Sequence, residues 1–239
     1  MTSGSDRRTI VVIPAFNEEA SLPAVLRQLA DEVPDLDVVV VDDGSVDSTA
    51  VVVREAGVPC VSLPFNLGIG GALRAGYRFA ADGGYDRAVQ FDADGQHRAD
   101  QIGVLLAALD EGADMACGSR FAAGGYDVGR GRGWAMGLLR VGVRLLTGRR
   151  FTDTSSGFRA VQGPLLEVFA SEYPVEYMDS VETLVSACRA GFEVTEVPTL
   201  MRERAGGVPS QRPFRLAYHY ARLLVALLGS PRRAVPRHR

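Results

Sequence analysis

Arg87-Ala88-Val89-Gln90-Phe91-Asp92-Ala93-Asp94-Gly95-Gln96-His97 is an apolar run that delivers two carboxylates, two residues apart, to its C-terminal end. In an extended chain residues i and i+2 point the same way, so the spacing predicts that Asp92 and Asp94 reach one hard divalent cation together. Such cations are commonly held by one or two carboxylates while substrate phosphates complete the oxygen shell. Asp, Gly and Gln after a strand also form an ordinary turn, so the surrounding sequence has to decide. A second run, Asp37-Val38-Val39-Val40-Val41, ends in Asp42-Asp43-Gly44-Ser45. Two apolar strands with acids at the same end point to a ligand site beyond the carboxyl ends of an open α/β sheet.

On either side of these runs, strand and helix signals alternate. Thr9 to Ile13 reads as a buried strand, and a helix from about Glu18 to Glu32 places Leu22, Val25, Leu26 and Leu29 at helical spacing. After the strand Asp37 to Val41, Asp47 or Ser48 caps a helix that Gly57 closes. Then come a strand Val58 to Leu63, a helix Gly70 to Ala81, a strand Asp86 to Phe91, a helix Asp100 to Asp110 and a strand Ala113 to Cys117. This order predicts a mainly parallel sheet with helices on both faces. Beyond Arg120, glycines from Gly124 to Gly133 predict a mobile loop. A helix Trp134 to Thr147, a helix Val175 to Ala190 and a strand Phe192 to Val197 follow. The reading gives residues 1–8 as a loose tail, 9–211 as the folded domain, and 212–239 as an amphiphilic helix with a basic tail.

Charge divides the chain unevenly. Residues 1–119 hold 19 acidic and 8 basic side chains, and residues 120–239 hold 10 acidic and 18 basic ones. All 26 basic residues are arginine, and nine of them lie from Arg202 onward against one acid, Glu203. The apolar stretch Leu216 to Leu228 spans 13 residues and includes His219 and Arg222, short of the roughly 20 needed to cross a bilayer. The stretch reads as a packed or interfacial helix, and an anionic partner or membrane surface suits this end. Three cysteines, odd in number, widely separated and without CxxC spacing, argue against a disulfide framework or zinc site and for the cytoplasm. The polar start, Met1 to Arg8, has no apolar stretch of signal-peptide type. No GxGxxG follows the first strand, which disfavours a dinucleotide-binding dehydrogenase.

Ile13-Pro14-Ala15-Phe16-Asn17-Glu18-Glu19, Val41-Asp42-Asp43-Gly44-Ser45, Asn66-Leu67-Gly68 with Gly70-Gly71-Ala72, and Asp92-Ala93-Asp94-Gly95-Gln96-His97 occur in that order at successive strand ends. This series resembles the family-two glycosyltransferases, in their dolichol-phosphate-mannose-synthase-like branch that forms polyprenyl-phosphate sugars. The resemblance runs from about Thr9 to Ser210 and implies a GT-A fold. It further implies that Pro14, Phe16 and Glu18 line the base and ribose pocket and that Asp42 holds the base or ribose. Asp92 would contact the ribose and a metal-bound water, with Ala93 in the same donor pocket. Asp94, with Gln96, would hold Mg²⁺ or Mn²⁺ across the diphosphate, so the metal site implied by the resemblance comprises Asp92, Asp94 and Gln96. A metal ion stabilises the departing nucleoside diphosphate as a Lewis acid, without proton transfer. The alternative for Asp42 and Asp43 is a capped turn.

Three further segments carry the resemblance. Cys117-Gly118-Ser119-Arg120 matches a motif whose arginine meets a phosphate, so Arg120 is a catalytic candidate beside a solvated-arginine alternative. Thr152-Asp153-Thr154-Ser155-Ser156-Gly157-Phe158-Arg159 matches a segment beside the acceptor, making Asp153 an orienting group, a base, or a turn cap. Val197-Pro198 followed by Arg202, Arg204 and Gly206-Gly207 resembles a loop that closes on the diphosphate; with no lysine in the chain, a phosphate clamp there is Arg202 or Arg204. A lipid-phosphate acceptor is ionised near neutral pH and needs positioning more than deprotonation, whereas a hydroxyl acceptor needs a base, Asp153 or Glu182.

The expectation is a metal-dependent inverting hexosyltransferase at the cytoplasmic face of a membrane, moving sugar from a nucleotide diphosphate donor to a polyprenyl phosphate. Two alternatives stand beside it: a soluble transferase acting on hydroxyl acceptors, and a noncatalytic sugar-nucleotide binder. No nucleic-acid partner is indicated, and the oligomeric state stays open.

Overall fold

A computed structural model describes residues 7–122, 130–174 and 179–202. Among these residues seven strands, β1 (Thr9–Ala15), β2 (Asp37–Asp42), β3 (Cys60–Ser62), β4 (Arg87–Gln90), β5 (Met115–Ser119), β6 (Arg159–Gln162) and β7 (Val194–Pro198), form one sheet in the order β3-β2-β1-β4-β6-β5-β7. Every neighbouring pair is parallel except those of β6, which runs antiparallel to both β4 and β5. The helices are α1 (Leu22–Glu32), α2 (Thr49–Glu55), α3 (Ile69–Asp82), α4 (Ile102–Asp110), α5 (Arg130–Thr147), α6 (Pro164–Glu172) and α7 (Asp179–Arg189).

β1 is buried at all seven positions, as a central parallel strand covered on both faces must be. Side-chain alternation divides its neighbourhood into two cores. Ile10, Val12, Val39, Val41, Ala88, Met115 and Val161 pack toward α3, α5, α6 and α7. Val11, Ile13, Val40, Val89, Phe91, Ala116 and Ala160 pack toward α1, α2 and α4. The chain builds β1, β2 and β3 outward in one direction and then returns to place β4 on the other side of β1. That reversal opens a crevice at the carboxyl ends of β1 and β4, the place where such sheets bind ligands.

The mainly parallel, helix-covered sheet agrees with the sequence expectation, but β6 and α6 were not anticipated. β6 is four residues long and lies mid-sheet as an antiparallel insertion, a topology that strand-helix alternation does not encode. The tetrapeptide Arg-Ala-Val-Gln forms both β4 and β6, paired with itself head to tail so that Arg87 faces Gln162 and Gln90 faces Arg159. Other differences lie at element ends. β4 stops at Gln90, so Asp92 and Asp94 stand in the turn beyond it and strand alternation does not govern their direction. α5 begins at Arg130, earlier than the glycines suggest, and α7 is described from Asp179. Residues 1–6, 123–129, 175–178 and 203–239 lie outside the described residues, and with them most of the predicted glycine loop, the start of the predicted Val175 to Ala190 helix, Arg204 and the Leu216 to Leu228 segment.

Candidate active site

The crevice floor is made of loops joined by side-chain-to-backbone hydrogen bonds. After β1, Asn17 adopts φ 56°; its N–H donates to Ser45 Oγ at 2.9 Å, and its Oδ1 accepts the Val46 N–H at 2.9 Å. The Glu18 N–H donates to Thr49 Oγ1 at 2.9 Å, and the Glu18 carboxylate accepts the Ser21 hydroxyl. After β2, Asp42 and Asp43 are both buried. Asp42 Oδ1 accepts the Ser45 N–H at 3.0 Å, the capped turn that was the alternative reading for this residue. Asp43 Oδ1 accepts the Leu67 N–H at 2.7 Å and so fixes the loop ahead of α3. Burial raises the Asp43 carboxyl above its ordinary range against the Leu67 and Gly68 N–H groups, and neighbouring Asp42 adds to the rise. Gly44, at φ +71°, lets these loops meet: a Cβ there would stand 2.7 Å from the Phe65 carbonyl carbon. Phe16 is 43% exposed at the rim, whereas Pro14 lies buried within β1 opposite Val41.

Asp92, half-buried at the end of β4, is held from several sides. Its N–H donates to His97 Nδ1 at 3.0 Å, its Oδ1 accepts from Gln90 Nε2 at 3.3 Å, and His97 Nε2 stands 3.5 Å from Oδ2. Because Nδ1 accepts a hydrogen bond, this geometry assigns His97 the Nε2–H tautomer. The ring is buried against Phe91 (5.4 Å between centroids, nearly perpendicular) and Phe158 (4.8 Å). His97 thus orients Asp92 from the core side. Ala93 turns into the core beside α1, and Asp94 Oδ1 accepts the Gln96 N–H at 3.0 Å. Among the described residues no group of three or more His, Cys, Asp or Glu side chains could hold a metal. Hard carboxylate oxygens in an open turn fit a dication that takes its remaining ligands from phosphate oxygens.

Gly157, in the loop before β6, closes the back of this arrangement. A Cβ at Gly157 would lie 2.8 Å from Asp92 Oδ2 and 2.8 Å from Gln90 Nε2. Gly157→Ala is expected to displace the Asp92 carboxylate and lower kcat/KM by about tenfold or more, since ångström-scale misplacement at a reacting site costs up to about 10². Steady-state kinetics beside a melting curve checks this; wild-type kinetics in the variant would show that Asp92 tolerates the shift.

Across the crevice, Arg120 at the end of β5 meets Asp153 in a two-pronged ion pair, Nε to Oδ2 at 2.7 Å and Nη2 to Oδ1 at 3.1 Å. Asp153 is buried, and Ser155 donates to it from both its N–H and its hydroxyl at 3.2 Å. Burial alone would push this carboxyl up; the hydrogen bonds and charge of Arg120, with the Ser155 N–H, outweigh it and hold Asp153 below the ordinary carboxylate range. Phe121 lies between two guanidinium groups, Arg120 at 5.5 Å and Arg140 of α5 at 4.9 Å from its ring centre. The 152–153 backbone is itself clasped by Glu196 of β7, a residue the sequence reading did not single out. Its signal was faint: Glu196 is the one charged residue of a short strand, Val-Thr-Glu-Val-Pro, two residues after buried Val194.

Of the proposed diphosphate clamp, Arg202 is described. Its N–H donates to the Gln96 carbonyl at 2.9 Å, which docks the segment after β7 against the acidic turn. Its guanidinium reaches away to α1, to Gln28 Oε1 at 3.0 Å and Glu32 at 3.9 Å. Glu182, the other candidate base, lies on α7. The structure therefore places Asp42 at the carboxyl end of β2 and Asp92, Asp94 and Gln96 in the turn after β4, two strands away in the same sheet, and pairs Arg120 with Asp153 beyond β5.

Comparison with known proteins bears on this arrangement. Residues 10–167 match the family described as Glycosyl transferase family 2. The chain is 33% identical over 216 residues to a polyprenol monophosphomannose synthase of Mycolicibacterium smegmatis, covering 84% of this chain and 80% of that one. It is 36% identical over 213 residues to an undecaprenyl-phosphate mannosyltransferase of Micrococcus luteus, covering 84% and 86%. Its fold superposes with a TM-score of 0.69 on a glucosyl-3-phosphoglycerate synthase of Mycobacterium tuberculosis crystallised with Mn²⁺, UDP and glucosyl-3-phosphoglycerate, at 25% identity and covering 98% of this chain and 82% of that one. With four strand-end motifs in register on a GT-A sheet and relatives aligned over most of its length, this chain belongs to glycosyl transferase family 2 and is a glycosyltransferase.

Proposed function

We propose that this glycosyltransferase moves a hexose from a nucleotide diphosphate sugar to a polyprenyl phosphate, with a divalent cation and with inversion at the anomeric carbon. The observation that carries the choice of acceptor is the state of Asp153. A general base must take up a proton, yet this carboxyl is ion-paired, buried and held at lowered proton affinity. A phosphate acceptor arrives ionised and needs no base. Its oxygen attacks the anomeric carbon from the side opposite the diphosphate; the new C–O–P linkage forms as the old sugar–phosphate bond breaks. The names of the relatives from M. smegmatis and M. luteus support the same acceptor class.

Asp94, with Asp92 and Gln96, would hold Mg²⁺ or Mn²⁺, which supplies Lewis-acid stabilisation of the leaving diphosphate. Asp92 is kept in place by Gln90 and His97, in space left open by Gly157, whatever it binds. The segment at Arg202 joins the donor turn through Gln96, and in this reading the arginine that meets the diphosphate is Arg202 or Arg204. Such an acceptor lies in a membrane. No helix among the described residues is long and apolar enough to cross one, so a peripheral approach at the cytoplasmic face is proposed. α5 supports it, exposing Val141 and Leu145 one turn apart beside exposed Arg144.

The test is transfer of radiolabel from UDP-, GDP- and dTDP-hexoses into undecaprenyl phosphate, read by organic extraction with Mn²⁺ and again with EDTA, with the product anomer assigned by NMR. Label in the lipid, lost with EDTA and of inverted configuration, is expected. Label only in hydroxyl acceptors would overturn the acceptor assignment. Asp153→Asn should lower kcat with the lipid phosphate less than about tenfold, because general-base removal typically costs 10²–10⁴ and no base is needed here; a loss of several orders of magnitude would restore Asp153 as the base.

A further inference from the structure

Glu196 stands on β7, the edge strand of the sheet, in register with Cys117 of β5. Its two carboxylate oxygens accept every hydrogen bond it is seen to make. The Thr152 N–H donates at 2.9 and 2.8 Å to the two oxygens, the Asp153 N–H at 2.6 Å to Oε1, and the Thr152 hydroxyl at 2.9 Å to Oε2. Thr152 Oγ1 also lies 2.7 Å from Ser119 Oγ. A threonine hydroxyl has one proton. With that proton on Glu196, the Ser119 hydroxyl must donate to Thr152, leaving Ser119 Oγ to accept the Phe121 N–H at 3.2 Å and the Ala122 N–H at 3.1 Å.

These bonds surround one residue. Ser119 and Phe121 are the neighbours of Arg120 in the chain, and Asp153 is its ion-pair partner. Glu196 reaches the first pair through Thr152 and the last through the Asp153 N–H, so both the backbone and the guanidinium of Arg120 are set from a single carboxylate on another strand. We infer that Glu196 is a positioning residue for Arg120, which orders the proton direction of the Ser119–Thr152 relay and holds the Asp153 carboxylate where the guanidinium is aimed. This rests on the proposed role of Arg120 as the group that meets a substrate phosphate on the acceptor side. Among the described residues the hydrogen bonds of Glu196 go to Thr152 and Asp153 and not to the 92–96 turn, so its influence is expected on the acceptor and not on nucleotide binding.

Two variants probe this. Glu196→Gln keeps the size but puts an NH₂ group where an oxygen accepted donors, and Thr152→Val keeps the shape and both backbone bonds while cutting the hydroxyl relay. The acceptor KM for undecaprenyl phosphate is expected to rise and kcat to fall, by about tenfold together in Glu196→Gln and by a few-fold in Thr152→Val, while the Kd for UDP or GDP with Mn²⁺ by calorimetry stays within twofold of wild type. In an Arg120→Met background, Glu196→Gln should add no further loss, because its effect passes through the arginine. A purely structural glutamate would lower activity by the same factor in both backgrounds or weaken nucleotide binding equally, and either result overturns the inference. If Arg120→Met itself leaves lipid transfer intact, the role given to Arg120 fails first; if Arg120→Met impairs transfer while both probes leave the acceptor KM within twofold, the positioning role alone is lost.

Discussion

Asp94→Asn is expected to lower kcat/KM by about 10²–10³ with little change in thermal stability, a magnitude taken from the loss of one transition-state-stabilising group. The side chain is only half-buried, and its Oδ1 accepts the Gln96 N–H. Asparagine keeps that acceptor, so the turn retains its shape. What it removes is the negative charge that would draw a dication to the diphosphate. The defect should therefore appear as a weakened Mn²⁺ dependence, with half-saturation moved to higher metal concentration. Nucleotide binding measured without metal should stay near wild type, because Asp42 and Phe16 are untouched. A variant that keeps more than a tenth of wild-type activity across a metal titration would remove Asp94 from the metal site. Asp92→Asn is a useful companion, since that carboxylate is already oriented by Gln90 and His97.

The strands β1 and β2 were readable because each is a continuous apolar run that leads into polar or acidic residues, as Thr9 to Ala15 and Asp37 to Asp42 do. β6 was not readable. Four residues carry little periodicity, and the match between its Arg-Ala-Val-Gln and that of β4 has meaning only once the two strands lie side by side. The same holds for the site. Asp92 and Asp94 stood out through their spacing, yet the alternation argument attached to them fails because β4 ends at Gln90. What holds Asp92 is Gln90 and His97, and what leaves it room is Gly157, which stands behind it only because the chain turns back antiparallel after the 152–158 loop. Arg120 and Asp153 were picked out separately; their pairing across 33 positions is a tertiary fact. Glu196 gave no motif at all, because its task is to accept backbone N–H groups that any residue would supply.

That pairing makes Arg120→Met the variant with the widest consequences. Methionine keeps an apolar stem beside Phe121 but leaves the Asp153 carboxylate buried without its cation, and removing one partner of a buried pair costs about 3 kcal/mol or more. For a domain of this size that is a fall in Tm of roughly 6–12 °C. The sign with pH follows from the lowered carboxyl of Asp153. In the wild type the pair contributes stability above the unfolded aspartate pKa of about 3.9, and that contribution is lost as pH falls through the lower folded value. In the variant, burial acts unopposed by the guanidinium and the carboxyl moves up. Its deficit is therefore largest near neutral pH and shrinks on acidification, as the buried group takes up a proton. Adding Asp153→Asn to Arg120→Met removes the uncompensated charge, so the double variant should melt above the single one at pH 7. Lipid transfer should nonetheless stay about 10²–10³ below wild type in both, because the restored fold still lacks the guanidinium proposed to meet the phosphate. Recovery of transfer along with stability in the double variant would mean that Arg120 only supports the fold and that another cation receives the acceptor.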